Sequence, residues 1–415
     1  MKTPPKTDTF IYTCHECGLQ LDATEIHYLC PDCSVHNSLG QPQQGVLKVL
    51  YDYDRIRGIL PGGTSGFKML QVRRFLDLLP ITSLASLPPL RIGNTPLYHF
   101  QRFDGHDMPF RLRLKDDGVN PTFSFKDRAS ALVSAFARER GLDTIVAAST
   151  GNAGSSIAGI CASQGQKTVV MVPQSAPAAK LTQIVMYGAQ IVKVQGSYDD
   201  AFDMSVQATE EHGWYNRNTA YNPLTIEGKK MVSFELFSQM GLKLPDRIFV
   251  SAGDGVILSG VYKGFEELLQ LGFIDHIPVV VAVQAEGSDN LVRNLDAPVF
   301  EAKKGSTLAD SIAVDVPRNF LMARGFMHRY AGEAITVSDE EILEASATLA
   351  RNTGIFTEPA SAAAFAGLLK YHEQNRIENE TENVVLLTGS GLKDINAMKT
   401  WLPQITQINA ENKSS

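Results

Sequence analysis

The sequence predicts an α/β protein with parallel twisted sheets covered on both faces, built as two α/β domains with a small N-terminal appendage. Three observations carry that expectation. From Asp143 onward, short β-branched apolar runs alternate with helical stretches, the pattern of strands joined by crossover helices. The 415 residues, 44% apolar and 20% charged, suffice for two sizeable cores and are too apolar for a disordered chain. Four of the five cysteines fall within the first 33 residues, which sets that segment apart.

In chain order, the first element is the pair Cys14-His-Glu-Cys17 and Cys30-Pro-Asp-Cys33, with 12 residues between them. Two C-x-x-C knuckles at that distance match a zinc ribbon, with Cys14, Cys17, Cys30 and Cys33 as tetrahedral thiolate ligands. Gly18 supplies the tight turn toward the sulfurs. Two disulfides or four inert thiols are the alternatives. Disulfides fit poorly with a chain whose start, Met1 to Lys6, lacks an apolar signal core and which reads as cytoplasmic. His15, His27 and His36 are near enough for a mixed site, but four cysteines already complete a closed tetrahedron. No Lys or Arg occurs between Lys6 and Lys48, whereas Glu16, Asp22, Glu25 and Asp32 do. With a net charge of −7, the chain is not expected to bind nucleic acid or acidic lipid. No apolar run reaches the length of a membrane span. The ribbon is therefore read as structural, tethering the N-terminal arm to the body.

A linker-like Gln41-Pro-Gln-Gln-Gly45 follows, then helical segments with proline breaks such as Leu87-Pro-Pro89. Asn120-Pro-Thr-Phe-Ser-Phe-Lys-Asp-Arg128 places Lys126 at the mouth of a helix beside hydroxyls. An amine held at a pocket wall and partly desolvated can form an imine near neutral pH. The plain alternative is a solvated, charged first turn. A strand at Thr144–Ala148 runs into Ser149, Thr150, Gly151 and Asn152 and a small-residue helix through Cys161, the last read as a packing residue. Further strands are expected at Thr168–Pro173 and Gln190–Val194. Arg247–Ala252 leads into Gly253-Asp-Gly255 and a helix with apolar Leu258, Val261, Phe265, Leu268 and Leu269. Glycines there let backbone N–H groups approach an anion, with the helix dipole behind them. The spacing is not that of a dinucleotide loop. After a strand at Pro278–Val283, the run Val384–Thr388 ends in Gly389-Ser-Gly391. Three strand ends delivering small polar groups, plus one lysine, make a pocket for a phosphorylated ring compound. The end, Asn409–Ser415, reads as a polar, frayed tail.

These segments resemble the fold-type II pyridoxal-phosphate enzymes, and the threonine synthase family in particular, from about residue 90 to about residue 400. Pro121-Thr-Phe-Ser-Phe-Lys-Asp127 follows the family's P-T-G-S-F-K-D except at Phe123, which is expected to narrow the pocket. Gly93-Asn-Thr-Pro-Leu97, Ser149-Thr-Gly-Asn152, Glu227-Gly-Lys-Lys230, Glu358-Pro-Ala-Ser-Ala362 and Leu387-Thr-Gly-Ser-Gly-Leu-Lys-Asp394 are further matches. The resemblance implies Lys126 as the Schiff-base lysine, Asn152 against the ring oxygen and Thr388 facing the pyridine nitrogen. It puts the cofactor phosphate on Gly253, Asp254, Gly255, Val256 and Ile257. Ser149, Thr150, Gly151 and Asn152 would hold the substrate carboxylate, with Ser124, Asn218 and Arg217 as further substrate contacts. The implied domains are a ribbon over 1–45, a larger cofactor domain over 46–134 and 241–405, a smaller mobile domain over 135–240, and a tail over 406–415.

The implied reaction turns O-phospho-L-homoserine and water into L-threonine and phosphate, in a homodimer. Many family members carry an arginine two positions after the proline of the Asn222-Pro223 segment; here that position is Thr225. Asp254 stands where asparagine is frequent. Arg217 or Arg318 is expected to supply the missing charge. A serine/threonine ammonia-lyase, which needs no phosphate site, and a non-catalytic ligand-binding protein stay open as alternatives.

Overall fold

Runs of β-branched residues build the two parallel sheets because both faces of each strand are covered. The computed structural model describes residues 10–398; the expected tail at 406–415 lies outside them. An antiparallel sheet comes first, with β1 (Phe10–Cys14) between β2 (Gln20–Asp22) and β3 (Leu47–Tyr51). β3 lies beyond residue 45, so the N-terminal sheet continues past the expected end of the ribbon segment. Phe10 sits 5.3 Å edge-on to Tyr12 and 6.4 Å from Phe136 of the body. The appendage therefore shares the main core rather than standing off from it.

A hairpin, β4 (Leu97–Phe103) and β5 (His106–Asp116), follows. Then come four parallel strands, β6 (Thr144–Ala148), β7 (Lys167–Pro173), β8 (Gln190–Val194) and β9 (Tyr215–Asn216), in the order β8-β7-β6-β9. Alternate residues leave β7 on opposite faces, as the pleat demands. Val169 and Met171 pack with Ala201 and Phe202 on one side, Val170 and Val172 with Leu181 and Ile184 on the other. Each such side chain taken out of water contributes about 1.5–3 kcal/mol.

The last strands, β10 (Arg247–Ser251), β11 (Val279–Ala285), β12 (Glu333–Val337) and β13 (Glu382–Leu387), join the hairpin in a six-stranded sheet, β12-β11-β10-β13-β5-β4. Every pair is parallel except β4 with β5. The strands expected from sequence are present, with β7, β10, β11 and β13 shifted by one or two residues at their ends. The hairpin, β9, β12 and the strands of the N-terminal sheet were not expected. β5 alternates buried Phe110, Leu112 and Leu114 with Arg111 and Arg113, which reach across to Glu382 of β13. Its charged face is thus paired with a carboxylate of the neighbouring strand. β6, β10 and β13 all end near one level, and helices Asn152–Gln164 and Val256–Gln270 start just past two of those ends. Ligands of open α/β sheets bind at such carboxyl ends.

Candidate active site

Lys126 opens the helix Lys126–Glu139, and the charges after it are not solvated. The Thr122 N–H donates to Asp127 Oδ2 at 2.7 Å and the Thr122 hydroxyl to the other carboxylate oxygen, which closes the turn before the lysine. Arg128 Nε lies 2.5 Å from Asp117, and its Nη1 lies 2.6 Å from Glu235. Both Asp127 and Arg128 are buried, so the plain reading of a solvated first turn fails. They are anchors for the residue between turn and helix. The Phe125 N–H donates to the Thr388 carbonyl at 2.8 Å and the Ser390 N–H to the Phe123 carbonyl at 3.0 Å, stitching this turn to the end of β13. Lys126 Nζ makes no hydrogen bond or ion pair among the described residues. Burial lowers its pKa, and Arg217 lowers it further, against the opposing carboxylates of Glu358 and Asp254. That is the condition a nucleophilic amine needs. Phe123 does not narrow the site. Its backbone takes φ +70° and its side chain is 45% exposed, away from the cavity wall.

Lys126 lines a cavity of about 1140 Å³ together with Ser149 to Asn152, Gly253 to Ile257, Arg217 and Thr388. Asn152 and Ala153 begin a helix, so their N–H groups have no intrahelical acceptor and face outward. The tight packing of this turn requires Gly154, where a Cβ would stand 2.4 Å from the Ser149 carbonyl oxygen. Asn152 Nδ2 donates to Glu358 Oε1 at 2.8 Å. Gly255 takes φ +82° at the cap of the second helix, and a Cβ on Gly253 would stand 3.0 Å from Ile312 Cα. At both glycines a side chain would crowd the neighbouring segments, so the loop stays bare backbone ahead of the helix, whose first N–H groups, Val256 and Ile257, have no intrahelical acceptor. These features fit a phosphorylated ring. Asp254 turns its carboxylate to the Arg318 N–H at 3.3 Å. Thr388 is held through its N–H, which donates to Ser361 Oγ at 2.8 Å, and its hydroxyl has no partner among the described residues.

Two expected contacts are not available. Ser124 is buried with its hydroxyl unpartnered, behind the wall rather than on it. Asn218 borders the cavity, but its Oδ1 accepts from the Ala148 N–H at 2.7 Å and its Nδ2 donates to Ser205 Oγ at 2.6 Å. That amide ties the end of β6 to the helix Tyr198–His212. Arg318 is neutralised by Asp199 and lies 4.2 Å over the Phe202 ring, so it is not the free charge looked for. Arg217 is fully buried; Nε and Nη1 donate to Ser130 and Thr219, while Nη2 has no partner among the described residues. Burial pushes its pKa down to about 10, still charged at neutral pH.

Among the wall residues to which sequence reasoning gave no role are Glu358 and Lys229. Both lie in motifs that were recognised without a role, because a helix turns about 100° per residue and sequence does not say which neighbour faces inward. Burial raises the pKa of Glu358, against the lowering pull of Asn152, Lys126 and Lys393.

The four N-terminal sulfurs lie within 4.8 Å of one another, with Cys14–Cys33 and Cys17–Cys30 at 3.7 Å. A tetrahedral zinc with bonds of about 2.3 Å has edges of about 3.8 Å, whereas a disulfide needs about 2.05 Å. The cluster could hold a metal ion. Its loop also touches the site: Gln43 Nε2 donates to the Ala220 carbonyl at 2.9 Å, and Tyr28 stacks on Tyr221 at 4.6 Å.

Residues 89–389 match the family described as pyridoxal-phosphate dependent enzyme. The threonine synthase of Methanocaldococcus jannaschii is 36% identical over 92% of this chain and 93% of its own length. That of Methanosarcina acetivorans is 34% identical over 92% and 91%. Among solved structures, threonine deaminase isoform 2 of Solanum lycopersicum superposes with a TM-score of 0.66, covering 83% of this chain and 91% of its own. At 18% identity, that likeness is one of fold.

Proposed function

The chain belongs to the pyridoxal-phosphate-dependent enzymes, within their threonine synthase family, and we infer that it converts O-phospho-L-homoserine and water to L-threonine and phosphate. One observation carries the reading: Lys126, Asn152, the Gly253–Ile257 loop and Thr388 come from four separate segments onto one cavity. When bound, pyridoxal phosphate supplies a carbonyl for amines and a ring that draws electrons from the substrate's α-carbon.

The protein's own groups do the rest. Lys126, its ammonium destabilised by burial, would hold the cofactor through its amine and is the group that could take up or release a proton there. Thr388 would offer a bound ring a neutral hydroxyl rather than a carboxylate, which would favour elimination and replacement over transamination. Ser149 to Asn152 present N–H groups to the substrate carboxylate. Arg217, with one free Nη, is the cation for the substrate's anionic end. In the net change the γ C–O bond and one β C–H bond break, phosphate leaves, and water adds its hydroxyl at the β-carbon; of the two protons released, one goes to the γ-carbon and one to the departing phosphate.

Thr225 does not favour the ammonia-lyase reading, because it is buried off the cavity with its hydroxyl on the Asn222 carbonyl at 2.8 Å. Residues 46–134 and 241–405 are proposed as the cofactor domain and 135–240 as the mobile one. Polar contacts that would make and break between them are Arg318 with Asp199, Lys180 with Asp310 and Asn152 with Glu358. Cys14, Cys17, Cys30 and Cys33 are proposed to hold structural zinc, and the enzyme to act as a cytoplasmic homodimer. Among the described residues no helix is long and apolar enough to cross a membrane. Turnover of the holoenzyme on O-phospho-L-homoserine, with L-threonine and L-serine in parallel, tests the reading. Equal yields of phosphate and threonine are expected; a 2-oxo acid from threonine or serine, with phosphohomoserine inert, would replace it by the lyase.

A further inference from the structure

Consecutive lysines on the helix Leu224–Gln239 have opposite surroundings. Lys230 Nζ is neutralised by Glu227 at 2.5 Å and Glu267 at 2.9 Å. Lys229 is as deeply buried, yet its Nζ has no hydrogen-bond partner and no ion pair among the described residues. Its position is tightly set. A Cβ on Gly260 would stand 2.7 Å from Lys229 Cβ, so that glycine lets the helices Leu224–Gln239 and Val256–Gln270 close on each other at this residue. Lys229 thereby reaches the cavity wall beside Lys126, Arg217 and the Gly253–Ile257 loop.

An ammonium withdrawn from water without a counter-charge is strongly disfavoured. The surroundings make matters worse, since Arg217 and Lys126 add repulsion to burial and only Asp254 opposes them. Around the Lys229 amine itself, positive charge therefore outweighs negative. Thr225, one helical turn earlier on the same face, is where the family's phosphate-holding arginine is missing. Thr225 itself lies off the cavity, and the cation of this helix that reaches the wall is at position 229.

We propose that Lys229 is a phosphate-binding residue of this cavity, its ammonium serving as counter-charge to a phosphate monoester. Two such groups belong to the inferred reaction, the cofactor's and the substrate's. The substrate arm rests on the synthase reading; the cofactor arm does not.

The test compares wild type with Lys229→Met and Lys229→Arg, beginning with the apoenzyme. Inorganic phosphate, and pyridoxal phosphate relative to pyridoxal, should raise the melting temperature of the wild type and of Lys229→Arg, and raise that of Lys229→Met much less. If the Kd for pyridoxal phosphate rises about tenfold or more in Lys229→Met, while the KM for phosphohomoserine at saturating cofactor holds, the cofactor's phosphate is the ligand. If that KM and the inhibition constant of inorganic phosphate rise together with kcat and cofactor Kd unchanged, it is the substrate's. Phosphohomoserine left inert by the wild type, with phosphate protection intact, removes the synthase reading and leaves the cofactor arm standing. All constants within about twofold of wild type in Lys229→Met overturn the proposal. So does a wild-type apoenzyme stabilised no more by pyridoxal phosphate or inorganic phosphate than by pyridoxal, a result that holds even if Lys229→Met does not fold.

Discussion

The helix Leu224–Gln239 separates two regions in which buried charge is treated in opposite ways. Between it and the N-terminal sheet, Lys48, Lys230 and Lys263 meet Glu227, Glu266 and Glu267, with Lys48 on Glu266 and Lys263 on Glu267. The Tyr51 hydroxyl donates to Glu227 at 2.6 Å and the Tyr53 hydroxyl to Glu267 at 3.0 Å. Three ammonium groups face three carboxylates, and burial of each is compensated by its neighbours. On the cavity side, Lys126, Arg217 and Lys229 have buried or half-buried charge and free donors. A balanced cluster rigidifies a fold; an unbalanced one waits for a ligand. The same helix is thus a scaffold on one side and a binding surface on the other.

That contrast can be broken most severely at Lys126. Lys126→Ala should lower turnover by about 10⁴-fold or more, equivalent to about 5 kcal/mol of barrier, while denaturant unfolding stays close to wild type. A matching loss of stability would place Lys126 with the scaffold. On the balanced side, Glu227→Gln leaves Lys230 and Lys263 short of a carboxylate. Urea titration should then show a loss of about 3–5 kcal/mol, and a variant as stable as wild type would show the cluster to be dispensable.

Acid sharpens the comparison next. Burial pushes the Glu235 carboxyl up, but Arg128 and Lys115 outweigh it and carry it down to about 2. A carboxyl whose folded pKa lies below its unfolded value of about 4.3 contributes stability above that pH and loses it on acidification through the folded pKa. The loss should reach about 3 kcal/mol between about pH 5 and 1, and Glu235→Gln should flatten that limb of the stability curve. The smallest effect is expected at Arg217. Arg217→Met should cost about ten- to a hundredfold in kcat/KM for phosphohomoserine without destabilising the apoenzyme. Unchanged kinetics with lower stability would make it a packing residue.

Much of the fold was legible because doubly covered strands read as continuous apolar runs whatever lies beside them. β6, β7, β8, β10, β11 and β13 were found in this way, and the small polar turns after them gave the cavity its wall. Spacing alone also placed the four cysteines together, since two knuckles of fixed geometry allow little else. β12 and the hairpin β4–β5 escaped because their stability lies in partners distant in sequence, such as Glu382 for Arg111 and Arg113.

The residue types at the site, Lys126, Asn152, Thr388 and the Gly253–Ile257 loop, were determined by local sequence, because turns and helix starts are set by the few residues that form them. What each neighbouring polar group does was decided only in three dimensions. Asp127 and Arg128 became anchors, Asn218 a strand clamp, Phe123 an exposed left-handed residue, and Lys229 rather than Lys230 faced the cavity. A one-residue step on a helix turns a side chain by about 100°, and only the packing of Gly260 against Lys229 settled which lysine was left without a carboxylate.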